Sequence, residues 1–417
     1  MFGTLYRFEL KKILARPYVI VLLFLMVGVT LFLNLSPLQE QEDVVYLEED
    51  GSLVFDTVSR YEAVQLERRF SRENAGIQLD NATALAMRER SEHYIEVSDA
   101  PLTFVLLNDF LVEDAISAIG VNPLWDGTDQ LGDFTYEKLA QCQEEEYYNQ
   151  ALTQAEITYW EEERAGLTTP FTLDYAKGYS GILTLSYWLN LMVLPFVFIC
   201  LCGSFSDDYV YKTWPILTSS KNGRKSLALA RLAAGETLAG GTILLLFAIT
   251  AAIQFGVHGV QGAGVPIQLL EVENLLPGYA DAKLCASSRV MTAGQGVLAT
   301  VGMSLLILLF AGALAMLLSK VFRRAIPALA LPLGLLLGSL LFAPLSFYVY
   351  NRVLAQIWSY FPIQRLSQEF LLDERLISLG SIQLESILAS YWLYGLLTVF
   401  ALALCFWLYH IHTVEKE

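Results

Sequence analysis

The sequence predicts an all-α polytopic membrane protein with six transmembrane helices, an N-terminal interfacial helix and a mainly helical extracytoplasmic domain. Three observations carry this reading. Of 417 residues 54% are hydrophobic, and the mean hydropathy is +0.45, above what soluble domains sustain. The apolar residues gather in runs long enough to cross a hydrocarbon core of about 30 Å. The charge is divided: residues 39–180 hold 30 acidic and 9 basic residues, a balance of −21, whereas the whole chain carries −16, leaving +5 for the remainder. An anionic domain repels phosphates, so the charge argues against nucleic acid as a partner.

Residues 1–16 begin FGTLYRFELKKILAR after the initiator Met and read as a basic amphipathic helix, with Phe2, Leu5, Tyr6 and Ile13 on one side and Arg7 and Lys11 on another. Such a helix lies in the inner leaflet. The first span, 17–35, reaches about 28 Å. A cleaved signal peptide is the competing reading. The length of the apolar run and the lack of a small-x-small site at Asn34–Pro37 favour a retained anchor. The other spans fall at 181–203, 232–257, 294–319, 325–349 and 389–410.

Loop charges set the orientation. Arg7, Lys11, Lys12 and Arg16, the loop 204–231, Lys320, Arg323 and Arg324 in 320–324, and Lys416 in the tail 411–417 hold 13 of the 27 basic residues. Lys and Arg resist translocation, so these segments and both termini are expected inside. Residues 36–180, 258–293 and 350–388 then lie outside.

The outer domain 36–180 reads as mainly helical. Tyr136–Arg164 lacks Gly and Pro and fits one helix of about 43 Å, with Tyr148, Leu152, Ala155 and Tyr159 as its packing stripe. A second helix is expected near Val58–Asn74. Leu102–Val121 is apolar but contains Asp109, Glu113 and Asp114, which would cost roughly 7–10 kcal/mol in a span. It is expected as a buried helix of the domain. Val353–Gln364, about 18 Å as a helix, is too short to cross and reads as re-entrant, broken at Pro362.

Chemistry-bearing motifs are few. The five cysteines form no CxxC pair and the four histidines no metal-binding spacing. Cys142 and Cys285 both fall outside, where a disulfide and two separate thiols each fit. Asn222-Gly223-Arg224-Lys225-Ser226 lacks the glycines of a phosphate-binding loop, so no ATP hydrolysis is expected in this chain. Glu236 is the obvious ionisable residue within a span, expected near the inner interface in water or paired with Arg231. Gly235, Ala239 and Gly240 in the third span, and Gly334 and Gly338 in the fifth, are expected to let helices approach closely.

The loop 204–231 carries the most information. Ser204 with Asp207 has capping-box spacing, Asp208 and Lys212 sit four apart, Pro215 marks a break and Ser219–Gly223 a turn. An aromatic at Phe205, the acids Asp207 and Asp208, a short helix, and ILTSSKNGRK leading into ALARL resemble the permease subunits of ABC exporters of the type-2 class, above all bacterial members with a large outer domain between the first two spans. Lys212 departs from the family, in which many members have Gly there.

The resemblance implies a membrane-spanning subunit working beside a second permease copy or paralogue, with membrane lipid around it. ATP and Mg would be bound by a separate ATPase subunit. The short helix would be the coupling element, with Phe205, Asp207, Asp208, Tyr209, Lys212, Thr213, Trp214 and Leu217 meeting that ATPase. Asp208 and Tyr209, outside the bilayer, are expected to be replaceable without loss of insertion. The alternatives are a sensor or immunity protein whose acidic domain binds a cationic peptide, and an enzyme acting on lipid-linked substrates.

Overall fold

The computed structural model describes residues 2–48, 50–98, 106–119, 134–219, 225–272, 282–346, 352–379 and 382–414. The turn expected at Ser219–Gly223 and the ends of Leu102–Val121 lie largely outside the described residues.

The chain opens with α1 (Phe2–Leu14) and α2 (Pro17–Leu35). Pro17 suits the first turn of α2, where its missing N–H leaves nothing unsatisfied. β1 (Gln41–Leu47) and β2 (Leu53–Ser59) form an antiparallel hairpin with Gln41 opposite Ser59. Ser59 then caps α3 (Arg60–Asn74) through a reciprocal capping box with Glu62. β3 (Gln78–Leu79), α4 (Asn81–Ser98), α5 (Phe110–Ala118), α6 (Phe134–Asn149) and α7 (Gln154–Arg164) follow, and β4 (Phe171–Thr172) pairs with β3. Next come α8 (Lys177–Leu201), the short α9 (Ser206–Val210) and α10 (Trp214–Ser219), and α11 (Lys225–His258). β5 (Glu271–Val272) pairs with β6 (Ala282–Lys283) ahead of α12 (Ala293–Phe322) and α13 (Ala325–Ser346). α14 (Arg352–Ser359), α15 (Pro362–Arg365) and the hairpin β7 (Leu376–Leu379)–β8 (Ile382–Glu385) lead into α16 (Ser386–Val414).

Five of these helices, α2, α8, α11, α12 and α16, are long and apolar enough to cross a membrane, the build of a multi-pass, mainly α-helical membrane protein. α13 is apolar too, with side chains described as far as residue 339. α8, α11 and α12 pack on one another, α16 lies along α12, and α1 and α2 lie along α11. Small residues set the α11–α12 approach. A Cβ on Gly235 would stand 2.5 Å from the Met316 sulfur, and one on Gly240 3.1 Å from Leu305. Ala239 is fully buried where Gly312 comes closest. Gly334 and Gly338 differ from expectation: no described atom comes within 4 Å of a Cβ built on either. α13 turns Leu336 and Ser339 inward instead, leaving Gly334 exposed.

The 36–176 segment is less helical than expected, because 41–59 is the hairpin. Gly51, at φ +82°, closes its turn. The single helix expected over Tyr136–Arg164 is two. Ala151 takes φ +52°, and Thr153 opens α7 with a capping box to Glu156. The break divides the expected stripe: Leu152 and Tyr159 pack against Tyr147 and Trp160, whereas Tyr148 and Ala155 are exposed. Tyr148 is 87% exposed, while Tyr147 and Trp160 are buried.

In Leu102–Val121, α5 is a buried helix, as expected, and its acids are accommodated. Asp109 pairs with Arg90 and Asp114 with Lys177. Burial, helped by Asp114, pushes the Glu113 carboxyl up to about 7.

Interspan segments meet at one end of the bundle. Trp160 of α7 donates its indole N–H to the Glu374 carbonyl at 2.5 Å. Arg289, from the α11–α12 loop, donates to the carbonyls of Leu371 and Asp373 at 2.7 Å and covers the Trp160 ring at 4.7 Å. Arg365 pairs with Asp373 at 2.5 Å, and Arg352 with Glu156 at 2.7 Å. α14 and α15 are separated at Tyr360–Phe361, next to Pro362.

Burial pushes the Glu374 carboxyl up to about 7 as well. An acid with a raised folded pKa binds its proton more tightly folded than unfolded, so stability falls as pH rises. For Glu113 and Glu374 that window runs from 4.5, the ordinary value, to about 7. The melting temperature of the detergent-solubilised protein should therefore decline between these pH values. Glu113→Gln with Glu374→Gln should flatten the decline, and an unchanged slope would contradict the assignment.

Candidate functional site

At the other end of the bundle lie α1, α9, α10, the start of α11 and the last turns of α12 and α16. α9 is held from below by Ser319 of α12, whose hydroxyl accepts from the N–H groups of Phe205 and Ser206 at 3.0 and 2.9 Å. The expected Ser204–Asp207 capping box does not form. Phe205 precedes α9 without a side-chain cap, and Asp207 pairs with Arg16 at 2.8 Å.

Two buried cations organise this end. Arg231, the seventh residue of α11, pairs with Asp208 and, at 3.2 Å, with Glu9 of α1. Its guanidinium stands 5.6 Å from the centre of the Phe205 ring. Arg231 thus takes Asp208 away from the expected Lys212 and is itself unavailable to Glu236. Both Glu236 oxygens are buried and have no hydrogen-bond partner among the described residues.

Lys320, the last inward-facing residue of α12, occupies an aromatic box. Its ammonium stands 3.7 Å from the centre of the Trp214 ring, 4.9 Å from Tyr409 and 5.1 Å from Tyr209, and it donates to the Tyr209 hydroxyl at 2.6 Å. Tyr209 and Trp214 stack with centroids 4.9 Å apart. Desolvated cation–π contacts of this kind contribute about 2 kcal/mol or more.

Lys212, the departure from the resembling family, sits between α9 and α10 at φ +56°. That left-handed conformation favours Gly and is strained for a residue with a side chain. The chain therefore breaks at 211–213, ahead of Pro215, which sits in the first turn of α10.

The expected coupling residues thus divide. Phe205, Asp208 and Trp214 are buried, at 0%, 4% and 5% exposure, and Tyr209 and Leu217 are half-buried. Lys212 and Thr213 are exposed, and Asp207 is half-buried against Arg16. Asp208 and Tyr209, expected to be replaceable without loss of insertion because they lie outside the bilayer, are packed into the bundle end, Asp208 buried and Tyr209 half-buried. Beside the exposed Lys212 and Thr213, the outward surface carries an apolar set that was missed from the sequence. Val210, Tyr211 and Ile216 are 58%, 74% and 71% exposed. Their signal was the interleaving of Val210–Tyr211 with inward-facing Tyr209, a pattern that depends on which face of a five-residue helix is covered.

No protein-family model matches the chain, and no curated protein matches it.

Polar pairs inside the spans also escaped the sequence reading. Asn190 of α8 is fully buried and donates to Ser304 of α12 at 2.9 Å and to the Leu366 carbonyl at 3.2 Å. Gln254 of α11 donates to Asn34 of α2 at 3.1 Å. Such residues look polar and unremarkable in the sequence, because only the partner helices of the bundle give them their role.

Proposed function

We propose that this chain is the membrane-spanning subunit of an ATP-driven exporter of the ABC type, coupled to a separate ATPase through α9 and α10. The observation that carries the reading is the division of 205–217 into a buried half and an exposed half with an apolar patch. The buried half is tied by Arg231 and Lys320 to α1, α11, α12 and α16. The exposed half offers Val210, Tyr211 and Ile216. A push on that tip reaches several spans at once, which is what conversion of ATPase closure into helix movement requires. An isolated connecting turn needs no such attachments.

We propose further that the chain crosses the membrane six times, α13 included, with both termini and α9–α10 in the cytoplasm and 36–176 outside. The meeting of α7, Arg289 of the α11–α12 loop and 352–374 at one end supports this alternation, and the basic residues around α9–α10 support the orientation. In a cysteine-free background, an impermeant maleimide should label Asn149→Cys in intact cells and Lys225→Cys only after lysis. Labelling of the second but not the first in intact cells would reverse the topology.

The alternative of a sensor for cationic peptides is less well supported. The groove of about 380 Å³ along α3 is lined by Gln65, Arg68, Arg69, Arg72 and Glu73, a wall unsuited to a cation.

ATP hydrolysis distinguishes the readings. The chain purified alone should hydrolyse none. Recovered in mild detergent from its own membranes, it should bring a second protein that does. Recovery without any ATPase would favour a non-transporting role.

A further inference from the structure

Cys142 and Cys285 are 143 positions apart in the chain, yet their sulfurs lie 2.9 Å apart. Cys142 is on α6 and half-buried, and Cys285 is buried in the one-turn 3-10 helix Leu284–Ala286 of the α11–α12 loop. The approach is held by polar contacts beside the sulfurs. Gln143 donates to the Ser287 carbonyl at 2.9 Å, and the Tyr147 hydroxyl meets that of Ser288 at 2.7 Å. Both residues of the first pair are within two positions of a cysteine, so the two backbones are fixed in register where the sulfurs meet. The other three cysteines, Cys200, Cys202 and Cys405, lie at the end of α8 and within α16.

We propose that Cys142 and Cys285 are joined by a disulfide in the mature protein, stapling α6 of the interspan segment to the loop between α11 and α12. The inference rests on the outside placement proposed above, because disulfides persist in oxidising compartments. The oxidant is a disulfide carried by a thiol–disulfide exchange protein. Cys142, the more accessible thiol, loses its proton and attacks a donor sulfur, forming a mixed disulfide and releasing one donor thiolate. Cys285, as thiolate, then attacks the Cys142 sulfur and expels the second donor thiolate. Two electrons pass to the donor, whose two thiolates take up the two protons released. The product fixes the interspan segment to the α11–α12 loop, so that the two move together.

Cells expressing the full chain are lysed directly into denaturant containing an alkylating reagent, which reaches buried thiols as well as exposed ones. Three alkylated cysteines, rising to five after reduction, with a peptide pair linked through Cys142 and Cys285, is the expected result. Cys142→Ser should give four without reduction and remain four after it, and should lower the melting temperature by several degrees. Five alkylated cysteines before reduction would overturn the proposal. In that case, a copper–phenanthroline oxidant is added to isolated membranes. Rapid closure of the bond would place the fault in the outside assignment, and failure to close would place it in the geometry.

Discussion

Arg231→Ala is expected to remove most of the protein from the membrane fraction. The substitution leaves Asp208 and Glu9 buried without their shared cation. Among the described residues Glu9 then keeps Lys12, at 3.8 Å. Stranding one partner of a buried pair costs about 3–5 kcal/mol, a large part of the 5–15 kcal/mol by which domains are typically stable. The loss should be read as abundance and melting temperature of the solubilised protein. Removing Asp208 at the same time, as Arg231→Met with Asp208→Leu, should recover part of it, because the double variant strands Glu9 alone instead of two carboxylates. Equal loss in the single and double variants would show that Arg231 matters for a reason other than this pair.

Tyr211→Asp combined with Ile216→Asp is expected to do the opposite: leave the fold alone and abolish coupling. Both side chains are largely exposed, and exposed substitutions usually move stability by no more than about 0.5 kcal/mol. As anchors of an interface, each should contribute about 2 kcal/mol, roughly 30-fold in affinity, and the pair well over 100-fold. The variant should reach the membrane at normal abundance and melt like the parent, yet lose its ATPase during purification and transport nothing. Normal transport would reduce α9–α10 to a connecting loop.

How much of this was legible in the sequence varied with the period of the signal. The long apolar runs marked α2, α8, α11, α12 and α16 to within a few residues, because a bilayer imposes both length and composition. Shorter signals were present but outweighed. Thr153-x-x-Glu156 spells the capping box that divides α6 from α7, and the absence of Gly and Pro across that stretch hid it. Asp50-Gly51, between Val44–Tyr46 and Leu53–Phe55, spells the hairpin turn.

The candidate site was legible as a place and not as a surface. Phe205 to Leu217 does stand at the bundle end with the basic residues, yet Asp208 and Trp214 face inward because Arg231 and Lys320, distant in sequence, reach them. Nothing local records a partner 23 or more positions away. Lys212 was singled out only as a departure from the resembling family, and its left-handed backbone was not read from the sequence.

The most direct test of the proposed coupling is a photoreactive amino acid placed at position 211 in living cells. Irradiation should yield an adduct between this chain and a protein carrying a phosphate-binding loop, and the same probe at position 148, on the far end, should not. Adducts with lipid alone, or with a partner lacking such a loop, would contradict the assignment of α9–α10 as the site where an ATPase docks.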